Sequence, residues 1–357
     1  MLRSLILLLL LAPVAVAQEK KPLPPKEAKA AFLKLLDRPK VPLDPSKTEV
    51  RTEKNFHVET FTIATEKKSS GEVERVPVLV VRPKLEKGAA ERRPAMICLH
   101  GTGGNKDGMR SYLEAFAKAG FVAVAIDARY HGDRADGKKG SERYVQAVTA
   151  AWTAARAGKP HEHPWFYDTC WDLWRLVDFL ETRADVDPKR IGMSGTSMGG
   201  IQTWLAASVD DRIAVAAPLI GVQSFRYSLD HDRWQARANT VKAAHEQAVK
   251  DLGEPAVNGT VCREVWAKLL PGIVDDFDCP NLIRLFAGRK LFVGNGELDP
   301  NCPLDGAKLA FAAAEDAFKD GKGKVVIDVT PGVAHKITDA QRDKAIRFCV
   351  EALTAKE

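Results

Sequence analysis

Apolar and polar positions along the chain fall into two regimes. Over 55–65 and 73–82 they alternate in β-branched runs, the period of half-buried strands, and the short gap between the runs predicts an antiparallel hairpin at a sheet edge. From residue 95 the pattern changes to short unbroken apolar runs separated by helical ones. Buried strands are predicted at 95–99, 121–126, 190–193, 213–220, 290–294 and 325–329. Helices are predicted at 109–119, 165–183, 199–207, 304–318 and 339–355. Parallel neighbours need a crossover, and helices between strands supply it. The prediction is therefore an α/β fold with a mostly parallel sheet covered by helices on both faces.

Two stretches break the alternation. Residues 127–164 read as one long loop. Residues 221–289, after the sixth predicted strand, carry helical pattern (239–252 and 261–269) without a clear strand. This reads as a helical insertion, a cap over the strand ends; the alternative is extra helices packed on the flank. Ahead of the main domain, assigned to 51–357, residues 18–50 are rich in Lys and Pro. They read as a linker interrupted by a short helix at 27–36, with Ala31, Phe32, Leu35 and Leu36 on one face.

Composition changes the picture little. Apolar residues make up 45% and charged residues 28%, the balance of a soluble globular protein. The net charge of +6 is spread in pairs such as Lys67-Lys68 and Lys138-Lys139, which argues against a nucleic-acid partner. The first residues change more. A basic start at Arg3, an apolar run over 5–16 and Ala15-Val16-Ala17 before Gln18 predict a secretory signal peptide at 1–17, cut after Ala17. The mature chain is then expected to be secreted or periplasmic, with no stable membrane insertion after cleavage; the alternative is that the apolar run is kept as an uncleaved anchor. Export leaves room for one or two disulfides among Cys170, Cys262, Cys279, Cys302 and Cys349. Cys98, inside an apolar run, reads as a buried thiol, and no C-x-x-C pair points to zinc or redox chemistry.

The chemistry centres on 190–200, R-I-G-M-S-G-T-S-M-G-G. A G-x-S-x-G between a buried strand and an apolar helix is the setting in which a serine is held exposed at a sharp turn, so Ser197 is the predicted nucleophile. A serine needs a base, and the base needs an orienting acid. His335 lies in T-P-G-V-A-H-K-I-T, just after the last predicted strand, where loops of such sheets converge. Asp299, two residues past the tight turn that ends 290–296, is the predicted acid, with Glu297 as its competitor. For the oxyanion, one amide is expected from Met198. The other is expected from His100-Gly101-Thr102-Gly103-Gly104, with Thr102 first and Gly103 second. Ser197, Asp299 and His335 also follow the chain order Ser, acid, His.

Other motifs are read as structural. His161-Glu162-His163 lacks further spaced ligands, so it reads as a loop and no metal is expected. His131 and Asp133 are expected to support the oxyanion loop. Trp165, Phe166, Tyr167, Trp171 and Trp174 are expected to pack a helix into the core, the first of them beside the pocket.

Taken together, H-G-T-G-G at 100–104, I-D-A-R-Y-H-G-D at 126–133, D-V-D-P-K-R-I-G-M-S-G-T-S-M-G-G at 185–200, G-E-L-D-P-N-C-P at 296–303 and A-H-K at 334–336 resemble the α/β-hydrolase superfamily. The branch is that of dienelactone hydrolases, acetyl xylan esterases and prolyl-oligopeptidase catalytic domains. The resemblance implies an exported serine hydrolase that needs no cofactor and acts on a small-molecule or carbohydrate ester. Some dienelactone hydrolases use cysteine as nucleophile; serine here favours a serine acyl-enzyme. The chain is too short to carry the β-propeller of prolyl oligopeptidases, which counts against a peptidase. The alternatives are a peptidase of the same fold, a dienelactone hydrolase-like enzyme, or a silent hydrolase fold used for binding.

Overall fold

The computed structural model describes residues 22–53, 55–84 and 92–355; the predicted signal peptide at 1–17 lies outside them. A helix, α1 (Pro25–Leu35), precedes three strands: β1 (Glu49–Thr52), β2 (Phe56–Lys67) and β3 (Val73–Pro83). Strand β4 (Arg93–Leu99), α2 (Arg110–Lys118) and β5 (Val122–Ile126) follow, then α3 (Glu142–Arg156) and α4 (Tyr167–Thr182). Next come β6 (Val186–Thr196), α5 (Met198–Val209) and β7 (Ile213–Leu219). Five helices stand between β7 and the next strand: α6 (Phe225–Asp230), α7 (Gln235–Asn239), α8 (Lys242–Leu252), α9 (Gly259–Leu269) and α10 (Cys279–Leu282). The chain closes with β8 (Lys290–Gly296), α11 (Leu304–Ala317), β9 (Lys324–Thr330) and α12 (Asp339–Thr354).

All nine described strands form one sheet in the order β1-β2-β3-β5-β4-β6-β7-β8-β9. Strands β5 to β9 in that order pair in parallel, whereas β1, β2 and β3 are antiparallel to their neighbours. The predicted hairpin is β2–β3, but the edge belongs to β1, whose four residues are all exposed. An exposed strand has no apolar alternation to reveal it, and the predicted linker ending at 50 cuts into this one. The insertion consequently follows the seventh strand rather than the sixth.

Alternation across the sheet builds two cores. Ala95, Ile97 and Leu99 of β4 face one layer with α4 and α5, whereas Met96 and Cys98 face α2 and α12. Residues 127–164 are not a continuous loop: α3 occupies their centre and buries Tyr144, Ala147, Val148, Ala151 and Trp152. That spacing of three and four residues is helical, and it was available in the sequence. Helix α3 packs with α8 and α9 of the insertion. The helix predicted from residue 165 starts at Tyr167, after Phe166 at φ 76°.

The amino-terminal segment is docked. Phe32 of α1 meets Tyr167 and Phe277 edge-on, each at 5.2 Å, and Arg38 pairs with Glu66 and Asp168. Asp168 belongs to a buried charged group around Arg129, which grips Asp172 through Nε (2.8 Å) and Nη2 (3.0 Å). Burial alone would raise the Asp172 pKa, but Arg129 and Arg134 hold it well below the usual carboxylate range. This ties the loop after β5 to α4.

Candidate active site

Strand β6 ends at Thr196 and α5 begins at Met198, so Ser197 alone makes the turn, at φ 57° and ψ −113°. That is a strained conformation for a residue with a Cβ, and its surroundings hold it there. The Ser197 amide donates to the Leu219 carbonyl at the end of β7 (2.9 Å), and its own carbonyl accepts from Ile201 (3.0 Å). The flanking glycines are required by close approach. A Cβ on Gly199 would stand 2.5 Å from the Leu99 carbonyl oxygen, and one on Gly195 would overlap the Gly199 carbonyl.

The structure brings the three predicted side chains together. Ser197 Oγ lies 2.8 Å from His335 Nε2, and His335 Nδ1 lies 2.7 Å from Asp299 Oδ2. With a carboxylate at Nδ1, that nitrogen carries the proton and Nε2 is left to accept the serine O–H. The Asp299 side chain is fully buried and that of His335 is 23% exposed. The second oxygen of Asp299 accepts the amides of Asn301 (2.8 Å) and Cys302 (3.1 Å). Glu297, the competitor, faces elsewhere: its Oε2 accepts from the Gly332 amide (2.7 Å) and so pins the loop that carries His335.

Of the residues expected to supply oxyanion amides, Met198 directly follows Ser197 and Thr102 lies on the loop after β4. Met198 is the first residue of α5, where no carbonyl lies one helical turn back to take its N–H. The loop after β4 lies against the turn, with a Cβ on Gly101 falling 3.5 Å from Ser197 Cβ. The Gly104 amide donates to the Gly101 carbonyl (3.0 Å), while the Thr102 amide has no partner among the described residues. His100 fixes the loop's base by donating from Nδ1 to the Gly101 carbonyl (2.8 Å) and accepting the Ala128 amide at Nε2 (3.1 Å). Burial lowers its pKa and keeps it neutral, as both bonds require. The His131 ring lies tilted against His100, with centroids 5.2 Å apart, and burial, aided by that neighbour, pushes its pKa down to about 3. Asp133 pairs with Lys106 (2.6 Å), which also reaches Asp127 (3.1 Å), clamping the loops after β4 and β5 together.

His161 and His163 donate to the carbonyls of Lys159 and Leu269 (3.1 Å each), and Glu162 pairs with Lys68, so the three do not share a point. The aromatic set from Trp165 to Trp174 is buried throughout. All six cysteines are free and buried, against the expectation of disulfides. The thiols of Cys170 and Cys302 contact the carbonyls of Phe166 and Ile220. Cys302 nevertheless has a place that the sequence did not suggest: Asp299, Cys302 and His335 present ligand-type atoms within 4.8 Å of one another. Burial pushes the Cys302 thiol well up, which holds it protonated.

The sheet order, the serine turn after its sixth strand and the histidine loop after its last define an α/β-hydrolase. Within that class the chain belongs to the acetyl xylan esterase (AXE1) family, whose description matches residues 34–232. Two solved acetyl xylan esterases superpose over nearly the whole chain. The enzyme from Paenibacillus sp. R4 is 18% identical, with a TM-score of 0.63 over 94% of this chain and 97% of its own. Acetyl Xylan Esterase 1 from Thermoanaerobacterium sp. JW/SL YS485 is 20% identical, with a TM-score of 0.63 over 94% and 96%. The Bacillus subtilis (strain 168) protein "Putative hydrolase YtaP" is 31% identical over 159 residues, 41% of this chain and 48% of that protein. The chain thus spans about half the length of that relative.

Proposed function

We propose that this protein is an exported carboxylic ester hydrolase that works through a Ser197 acyl-enzyme, with acetyl esters of carbohydrates as the leading substrate class. The observation that carries the reading is the relay from Ser197 Oγ through His335 to Asp299, at 2.8 and 2.7 Å. It stands at the ends of three strands in a chain of an esterase family. His335 Nε2 takes the serine proton as Oγ attacks the ester carbonyl, and Asp299 stabilises the imidazolium that forms. The Met198 and Thr102 amides hold the negative oxygen. The C–O bond to the alcohol breaks as His335 returns the proton to that oxygen. Water then gives a proton to His335, attacks the acyl carbon and releases the acid, restoring Ser197.

Export rests on the residues preceding Gln18; a mature amino terminus at Gln18 in the secreted fraction tests it. The substrate class rests on the family. The deciding experiment is a panel of acetyl, longer acyl, feruloyl and glucuronoyl esters beside aminoacyl peptides. Turnover of acetyl esters is expected, and turnover confined to peptides would favour a peptidase.

A further inference from the structure

Arg237, on α7 of the insertion, is 2% exposed, yet no carboxylate pairs with it among the described residues. The other two buried arginines among the described residues have carboxylate partners, Arg175 in Asp178 and Arg129 in Asp172. Arg129 and Arg134 grip Asp172. Arg289 donates to five carbonyls, among them Ala207 and Ser208 at the carboxyl end of α5, where the helix dipole favours a cation. A buried guanidinium without a counter-ion is unfavourable, and it persists only where its hydrogen bonds are needed. Arg237 has two, both from Nη2: one to the Asn301 carbonyl (2.8 Å) and one to Cys302 Sγ (3.6 Å). Its Nε has no partner, and the face of Phe225 lies 5.8 Å away.

Asn301 and Cys302 are the two residues whose amides hold Asp299 Oδ1 and leave Oδ2 for His335. We infer that Arg237 is a positioning residue: from the insertion it fixes the turn 299–302, and through that turn the orientation of the Asp299 carboxylate toward His335. The insertion is then part of the relay's support. Cys302 is the second fastener, its thiol reaching back to the Ile220 carbonyl (3.3 Å) at the end of β7. Ile220 sits at φ 43°, strained for a β-branched residue, so the acid turn is held between that strained corner and Arg237. Small displacements of a relay member are costly in rate, because the transition state needs all three groups aligned.

This inference rests on the Ser197–His335–Asp299 reading, and the experiment separates the two. Steady-state hydrolysis of 4-nitrophenyl acetate is measured across pH for wild type, Arg237→Met, Arg237→Gln, Arg237→Lys and Asp299→Asn, each checked for folding by circular dichroism. The low-field proton resonance of His335 Nδ1–H is recorded on the same samples. Arg237→Met and Arg237→Gln are expected to lose 10-fold or more in kcat with KM within about 3-fold. The acid limb of their pH profile should move and the low-field resonance should shift or broaden, with Arg237→Lys intermediate. A folded Arg237→Met or Arg237→Gln with wild-type kcat and an unmoved resonance overturns the inference while Asp299→Asn remains impaired. Full activity in Asp299→Asn overturns the relay itself, whatever Arg237 does. If neither neutral variant folds, the resonance of Arg237→Lys decides: a wild-type position contradicts the role.

Discussion

The carboxylate of Asp299 receives the Nδ1–H of His335 at 2.7 Å from a fully buried position. It therefore sets both the tautomer and the direction of the imidazole. Asp299→Asn presents either an N–H or a neutral oxygen to Nδ1 and removes the charge that stabilises the imidazolium. A fall in kcat of roughly 10³–10⁴ on 4-nitrophenyl acetate is expected, by analogy with serine hydrolases at large. Glu297→Gln keeps an oxygen for the Gly332 amide and should stay within a few-fold of wild type. Equal losses in the two variants would mean that the acid is wrongly assigned.

Gly199 tests the turn itself. Its added Cβ would meet the Leu99 carbonyl oxygen at 2.5 Å and the His100 carbonyl oxygen at 2.7 Å, and both are backbone atoms that cannot swing aside. Gly199→Ala is expected to cost about 3 kcal/mol or more in urea unfolding, the upper range for overpacking. Its residual folded fraction should turn over esters poorly, since the start of α5 and the end of β4 are forced apart beside Ser197.

The charged group beneath the loop after β5 makes a separate stability prediction. Arg129→Met would leave Asp172 with only Arg134 and the Thr65 hydroxyl (2.7 Å) in a fully buried setting. Removing one partner of such a pair typically costs about 3–5 kcal/mol. Chemical denaturation at neutral pH should show it, and the loss should shrink when Asp172 is replaced by Asn in the same chain.

His245 gives a pH dependence. It accepts the Trp266 Nε1–H at Nε2 (3.1 Å) and contacts the Val241 carbonyl through Nδ1 (3.3 Å), which leaves no place for a second proton. Burial pushes its pKa from 6.5 down to about 4. Between those values the unfolded chain binds a proton that the folded chain refuses. The contribution is thus complete above about pH 6.5 and is lost as pH falls toward 4, roughly 3 kcal/mol in all. His131 acts in the same direction. His245→Gln, whose carbonyl can still accept from Trp266, should flatten the fall in melting temperature between pH 6.5 and 4.

Much of the site was legible because its parts are local. A strand, a glycine-flanked serine and a helix are contiguous, and the acid and the histidine each follow an apolar run by a few residues. What stayed hidden depends on contacts distant in sequence. Strand β1 exposes all four residues, so no alternation marks it. Arg237 reads as an ordinary polar position on a helix, and only its contact with Asn301 shows it to be buried support. The cysteines suggested disulfides by number and compartment, whereas all six are free thiols buried in the core. Helix α3 was missed for a lesser reason: flanking Gly and Lys residues masked a helical spacing at 144, 147, 148, 151 and 152 that was there to be read.

The most direct measurement of the central claim is the hydrolysis of 4-nitrophenyl acetate by wild type and Ser197→Ala, followed by intact mass under fluorophosphonate. Wild type is expected to turn over the ester and gain one phosphonyl adduct, on Ser197. Ser197→Ala should lose about 10⁴-fold or more in kcat/KM and take no adduct. A folded Ser197→Ala that kept a tenth or more of the activity, or was labelled as readily, would contradict an acyl-enzyme at Ser197.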